Sequence, residues 1–441
     1  MFRKANQSWI AVLFTAAALL SACGGQQSGT SAAGGNQQTA ASAPSEGPIE
    51  IDFWHALSGK NGEVLEELVN RFNSEQSEVK VNAAFQGDYY ENHAKVMSSI
   101  AAGNQPDLTM VEIASIAAFA ESGALEPLES YVNGSDGVEL NDYIPGLLGN
   151  SYWKNTLYAM PFNRSTPLLY INRDMLKQAG LPEEGPKTWE ELRSFAEKLS
   201  GGAGETQTWG FSTPIDIWFY EALVFQNGGS ILSEDGKTVM FNQPRGVEPL
   251  RFWKEMIDAG IMKMPPGEKY NAWDVAKSDF INQKVAMIFT STGDLNGLLE
   301  QAKFAVGTAF LPAKESYGAP TGGANLVILA KSSAEEKAAA WKFIKWLTSP
   351  ENTAFFSKST GYMPVRQSAL ELAEMKQLYA EKPQFEVAVQ QLEHARARPM
   401  APGYKELQEI IMAELQRAIL GQATPEEALQ KAAEKAQKLL Q

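Results

Sequence analysis

The stretch IEIDFWHALSGKNGEVLEELVNRFNSEQSEVKVNAA, residues 49–84, decides the fold class. Ile49, Ile51 and Phe53 alternate with Glu50 and Asp52, the period of two that marks a strand with one face buried. Val64, Leu65, Leu68, Val69 and Phe72 then recur at helical spacing, and Val79 to Ala84 reads as a second strand. A strand, a helix and a strand in this order predict an α/β body with a largely parallel sheet.

The rhythm continues along the chain. Leu108 to Val111, Leu168 to Ile171, Val285 to Phe289, Phe304 to Phe310 and Leu326 to Leu329 read as strands. Thr188-Trp189-Glu190-Glu191 and Thr424-Pro425-Glu426-Glu427 predict capping boxes at helix starts, in which the hydroxyl and the third-position glutamate each take an orphan amide. Ser349-Pro350 opens a helix, and from Ser368 onward the chain is expected to be mostly helical.

Upstream of the body the pattern differs. Arg3 and Lys4 precede a twelve-residue, mostly apolar run from Trp9 to Leu20, shorter than the ~20 residues of a spanning helix. The run ends in Leu20-Ser21-Ala22-Cys23-Gly24, which resembles a bacterial lipobox. That resemblance implies a signal peptide over residues 1–22, a lipid-modified Cys23, and a protein anchored on the outward face of a membrane through lipid only. Two acyl chains on one residue suffice for stable anchoring. Residues 23–48 are rich in Gly, Gln, Ser, Ala and Thr, a composition unable to bury a core, and a tether of this length spans roughly 28 Å.

The chain has 441 residues, a formal charge of −14, one cysteine and three histidines. The acidic balance opposes nucleic-acid binding, which needs a basic face. One cysteine excludes an internal disulfide and multi-cysteine metal sites, and His55, His93 and His394 stand too far apart in sequence to suggest zinc. No cofactor or metal is expected. Phosphate-loop, dinucleotide, nucleophile-elbow and His-Glu-x-x-His motifs are absent. Paired carboxylates for glycoside hydrolysis remain open, because their separation is a three-dimensional quantity.

Ordered segments in the body resemble the family 1 extracellular solute-binding proteins of ABC importers. They are Phe53-Trp54-His55, Gly103-Asn104-Gln105-Pro106-Asp107-Leu108, Ser122-Gly123-Ala124-Leu125-Glu126-Pro127-Leu128, residues 186–192 and residues 424–429. Gly87-Asp88-Tyr89, Pro161 to Pro167 leading to Tyr170, and Ser359 to Pro364 are most similar to the members that bind glycerol 3-phosphate and glycerophosphodiesters. The resemblance implies two α/β lobes around a hinged cleft, with crossings near Phe162 to Thr166, Gly307 to Leu311 and Thr360 to Met363. The lobes would be residues 49–164 with 310–361, and 165–309 with 362–441. It also implies a monomer that captures a small polar solute and delivers it to permease subunits, without catalysis.

The same resemblance nominates a site. Tyr89 and Tyr362 would be cleft walls or, by themselves, packing tyrosines. Ser165 and Ser291 match ligand-contacting serines; Ser291-Thr292-Gly293-Asp294 also reads as a helix cap with amides for an anion. Gly323 would offer a backbone contact, and Trp218 a cleft indole, although Ile215 stands where some members carry a second tryptophan. Glu112 suits the hydroxyls of a glycerol moiety or of a sugar. Arg398, with Arg396 two residues earlier, is the candidate cation for phosphate. Arg164 would add a second cation or point away, and His55 would stand near the cleft or be structural. The alternatives to a glycerophosphate ester are a mono- or oligosaccharide as ligand, or an extracellular hydrolase as the function.

Overall fold

The computed structural model describes residues 47–266 and 270–440. The signal peptide, Cys23 and nearly all of the tether lie outside the described residues.

Ten strands, β1 to β10 in chain order, form two five-stranded sheets. They are β1 Ile49–His55, β2 Val79–Phe85, β3 Leu108–Glu112, β4 Met160–Ser165, β5 Pro167–Asn172, β6 Trp209–Ser212, β7 Met262–Lys263, β8 Val285–Ser291, β9 Val306–Ala309 and β10 Gly322–Ile328. The first sheet has the order β2-β1-β3-β10-β4 and the second the order β9-β5-β8-β6-β7.

Each sheet is mixed, with two parallel and two antiparallel pairings, where the sequence suggests a largely parallel sheet. In the first, β1 is parallel to β2 and β3, but β10 is antiparallel to both β3 and β4. In the second, β8 is parallel to β6, and β6 to β7, while β5 is antiparallel to β8 and β9. The register explains this. Four strands of each sheet run toward the crevice between the sheets and one runs away from it. The reversed strand, β10 or β5, is the one the chain enters on arriving from the other sheet. A chain that enters at the hinge has no other direction available.

Thr166 alone separates β4 of the first sheet from β5 of the second. The return crossing spans residues 310–321. Around Thr360 to Met363 the chain touches elements of both sheets, the Ser359 carbonyl accepting from Asn296. Met363 still bridges Arg164, Val365 accepts a hydrogen bond from the Ile144 amide, and Ser368 donates to Asp142. Only with helix Gln384–Gln390 does the chain reach β9, where Thr308 donates to the Gln384 carbonyl.

Strands β4 and β5 are buried at every position, Asn163, Arg164 and Ser165 included. They therefore show no polar–apolar alternation. The helix starts mostly follow sequence chemistry. Thr424 and Glu427 form the predicted box. Thr188 accepts from the Glu191 amide as expected, but the Glu191 carboxylate reaches past it to the Lys187 amide at 2.6 Å. Helices Gly59–Glu75 and Ala334–Leu347 pack on the first sheet, and Trp189–Leu199 and Tyr270–Ile281 on the second.

Candidate functional site

The strand ends build a crevice between the sheets. Glu112 closes β3, Ser165 closes β4, Ser291 closes β8, and Gly322-Gly323 opens β10. Open α/β sheets bind ligands at such strand ends. Helix Tyr89–Ala102, capped by Asp88 with Glu91, brings Tyr89 and Tyr90, and helix Ile217–Gln226, capped by Asp216, brings Trp218. The C-terminal segment adds Arg398 and Lys405.

One cavity of about 280 Å³ results, and all eight residues nominated from sequence line it: Tyr89, Glu112, Ser165, Trp218, Ser291, Gly323, Tyr362 and Arg398. The sequence reading missed other lining residues that carry charge or aromatic rings. Tyr90, Asp216, Trp273, Lys277 and Lys405 also face this space. Asp216 carried a signal, being the residue before a helix that is buried all round. Lys405 and Trp273 carried none, because each sits on a helix whose placement depends on the other lobe elements.

Arg398 is not a free cation. Its Nε donates to Glu221 Oε2 at 2.8 Å, its Nη2 to Glu221 Oε1 at 3.3 Å, and its Nη1 to Glu112. Tyr404 donates to the same Glu221 carboxylate. Burial pushes the Glu112 carboxyl up, but Arg398, Lys405 and the Ala114 amide together hold it below the ordinary carboxylate range. At Glu221 burial prevails over Arg398 and Tyr404, and the carboxyl is raised. Arg396 lies outside the cavity, over the Phe225 ring at 5.4 Å.

Arg164 points away from the cavity. It is fully buried, donates to the Gly322 carbonyl at 3.0 Å, to Asn325 at 3.2 Å and to the Leu147 carbonyl, and its pKa is lowered by burial to about 9. It fastens the crossing strands and supplies no second cation. His55 stands one layer behind the lining, its ring 5.9 Å from that of Phe85.

The turn at Ser291 is capped from within. Ser291 Oγ accepts the Gly293 amide at 3.1 Å, and the Thr292 amide goes to the Thr166 carbonyl at 3.1 Å. These two amides are spent on the fold, so an anion site built from them is corrected. The Gly293 carbonyl accepts from Asn61 at 3.0 Å, a bond between the two lobes' elements. Gly293 also lets Tyr362 approach: an added Cβ would lie 2.5 Å from its ring. Tyr89 Oη accepts from Asn163 at 2.5 Å, and burial raises the hydroxyls of both Tyr89 and Tyr362.

A second indole is present, though not at Ile215. Trp273 stacks on Trp218 with centroids 5.9 Å apart and planes 17° apart, and Trp218 Nε1 donates to the Thr321 carbonyl at 3.1 Å. Lys277 is held by Asp274 and Asp294, both at 3.1 Å. Lys405 makes no ion pair among the described residues; its Nζ lies 3.4 Å above the Tyr90 ring centroid. The arrangement suits tight, reversible enclosure of a small polar molecule.

Known proteins are similar to this chain in sequence and fold. The sn-glycerol-3-phosphate-binding periplasmic protein UgpB of Pectobacterium atrosepticum is 29% identical over 423 residues, 90% of this chain and 93% of the relative. The crystal structure of UgpB from Mycobacterium tuberculosis in complex with glycerophosphocholine is 31% identical, with a TM-score of 0.79 over 90% of this chain and 99% of that one. The GacH receptor of Streptomyces glaucescens, solved unliganded and with acarbose, is 24% identical with a TM-score of 0.80, over 89% of this chain and 98% of its own, and shows the two-lobed fold alone. A family model described as bacterial extracellular solute-binding protein matches residues 67–387, and the chain belongs to that family.

Proposed function

We propose that the protein is the substrate-binding component of an ABC import system, tethered through Cys23 to the outward face of a membrane. It captures a glycerophosphate ester between its lobes and presents the closed form to permease subunits. The lobes are residues 49–164 joined by 310 to about 370, and 165–309 joined by the C-terminal helices. Ligand binding would favour the closed form through contacts made by both lobes together.

The observation that carries this reading is the convergence of the eight nominated residues on one cavity between the sheets, in a chain 31% identical over 90% of its length to a protein solved with glycerophosphocholine. With Arg398 shared between two carboxylates, Lys405 is the cation left for the phosphate. Ser165, Ser291 and the Gly323 backbone would take the glycerol hydroxyls. Binding rather than turnover is the role.

A mono- or oligosaccharide is the second reading, favoured by the stacked Trp218 and Trp273 and by Glu112. Thermal unfolding of the purified chain against glycerol 3-phosphate, glycerophosphocholine, maltose, glucose and inorganic phosphate separates the two. A ligand at 100 times its Kd adds about 2.7 kcal/mol. Stabilisation by the glycerophosphate compounds is expected; stabilisation by the sugars alone would replace the ligand and keep the transport role. Release of products during incubation would favour the hydrolase instead.

A further inference from the structure

One loop near the C-terminus touches both lobes while belonging to neither five-stranded sheet. After the turn Gln391–His394 the chain runs through Ala395-Arg396, which pair in parallel with Ala319-Pro320 of the return crossing. It resumes as helix Tyr404–Ile419, packed on helices Pro244–Asp258 and Pro425–Ala436. Between these points lies Arg398, whose side chain takes Glu112 at the end of β3 and Glu221 of helix Ile217–Gln226.

The backbone of Arg398 is gripped from the first lobe. Its amide donates to Asn150 Oδ1 at 3.3 Å, and its carbonyl accepts from Asn150 Nδ2 at 3.0 Å. A side-chain amide carries an acceptor and two donors in one plane, so it pairs with a single peptide much as a neighbouring strand would. Asn150 lies outside the cavity lining. It is itself fixed from behind: its carbonyl accepts from Asn325 Nδ2 at 3.2 Å, and Asn325 Oδ1 accepts from Arg164 Nη1 at 3.2 Å. Arg164 also donates to the Gly322 carbonyl at 3.0 Å. Three fully buried side chains thus connect the end of β4, the start of β10 and the loop that carries Arg398. Gly149 completes the seat, since an added Cβ there would lie 3.0 Å from the Ala397 Cβ.

We infer that Asn150 is a positioning residue for solute retention: it docks the Arg398 loop on the first lobe, and that docking holds the closed form and sets the rate at which bound solute leaves. The inference rests on the glycerophosphate reading above. Lobes that part must draw the Arg398 peptide off Asn150, which strips a buried donor and a buried acceptor of their partners. Solute enters the open form before the grip is made, so the grip acts on dissociation and leaves association alone. Asn150 meets the loop and not the solute, so its loss affects different solutes by one common factor.

The test is stopped-flow binding of glycerol 3-phosphate, glycerophosphocholine and maltose to the purified full-length chain, read from the fluorescence of the cleft indoles Trp218 and Trp273. Asn150→Ala is expected to speed dissociation of both esters by the same factor, at least about tenfold, with association within about threefold of wild type. Gly149→Ala leaves the buried polar groups paired and suits the helical backbone at that position, φ −53°. Its methyl should lift the loop and speed dissociation at least about threefold. Adding Ala397→Gly removes the opposing methyl and should return the rate to within about twofold of wild type. A role in folding alone would lower the fraction of protein that binds and leave the dissociation rate of the remainder unchanged. That outcome, factors that differ between the two esters by more than about threefold, or no recovery in the double variant overturns the inference and leaves the glycerophosphate reading standing. A wild type that binds maltose alone overturns that reading, and the same rates with maltose then decide the inference. A wild type that binds none of the three overturns both.

Discussion

Arg398 and Glu221 form a two-point ion pair inside the protein, Nε to Oε2 at 2.8 Å and Nη2 to Oε1 at 3.3 Å, with the Glu221 side chain fully buried. Glu221 belongs to helix Ile217–Gln226, which packs on the second sheet, and the remaining edge of the guanidinium takes Glu112 at the end of β3 in the first. One arginine thus ties the two lobes at the cleft floor.

Arg398→Ala is expected to leave two buried carboxylates without a counterion. Breaking such a pair from one side costs about 3–5 kcal/mol. Urea unfolding checks this, and a loss below about 1 kcal/mol would show that Glu112 and Glu221 do not depend on it. The double variant Arg398→Met with Glu221→Gln should recover part of the loss.

Lys405→Gln is expected to weaken binding of every glycerophosphate ester about tenfold, close to 1.4 kcal/mol, with little change in melting temperature. Burial lowers the pKa of this ammonium, opposed chiefly by Glu112 and Asp216. Alkaline titration should therefore weaken ester binding before the ordinary lysine range is reached, and the variant should lack that limb. Unaltered affinity in calorimetry would remove Lys405 from the site.

Gly323 has φ +86°, and a Cβ there would lie 1.8 Å from the Asn163 carbonyl oxygen. The β10–β4 register is irregular at this point. Gly323→Ala should destabilise the fold by on the order of 1–3 kcal/mol and also weaken ligand binding, since the strand opening the cleft must shift. A variant with wild-type unfolding and binding would show that the β4 backbone gives way freely.

His55 and His93 are each lowered by burial from 6.5 to about 4. The unfolded chain therefore binds more protons than the folded one between those values. Their contribution is fully present above about pH 6.5 and is lost as the pH falls toward about 4. The loss should be on the order of 1–3 kcal/mol, read from urea midpoints across that window. His55→Phe and His93→Phe should flatten the curve; a slope that is the same in both variants would assign it to carboxylates.

The local signals read well because local chemistry enforces them. The run from Ile49 to Ala84 needed only its own periodicity, and Thr424 with Glu427 needed only the orphan amides of their helix. Strands β4 and β6 gave no such signal, β4 because both its faces are buried. The reversal of β5 and β10 was illegible for another reason: strand direction follows from where the chain re-enters a sheet.

The sequence by itself determined the α/β class, the helix starts and, through family resemblance, which eight residues share a cleft. Charge pairing was decided only by the tertiary structure. Arg398 looked like the phosphate cation until folding placed Glu112 and Glu221, 286 and 177 residues away, against its guanidinium. Lys405, inconspicuous in the sequence, came to face the cleft without an ion pair among the described residues. Coulomb energy depends on distance and burial, and neither quantity exists until the two sheets are set around one crevice.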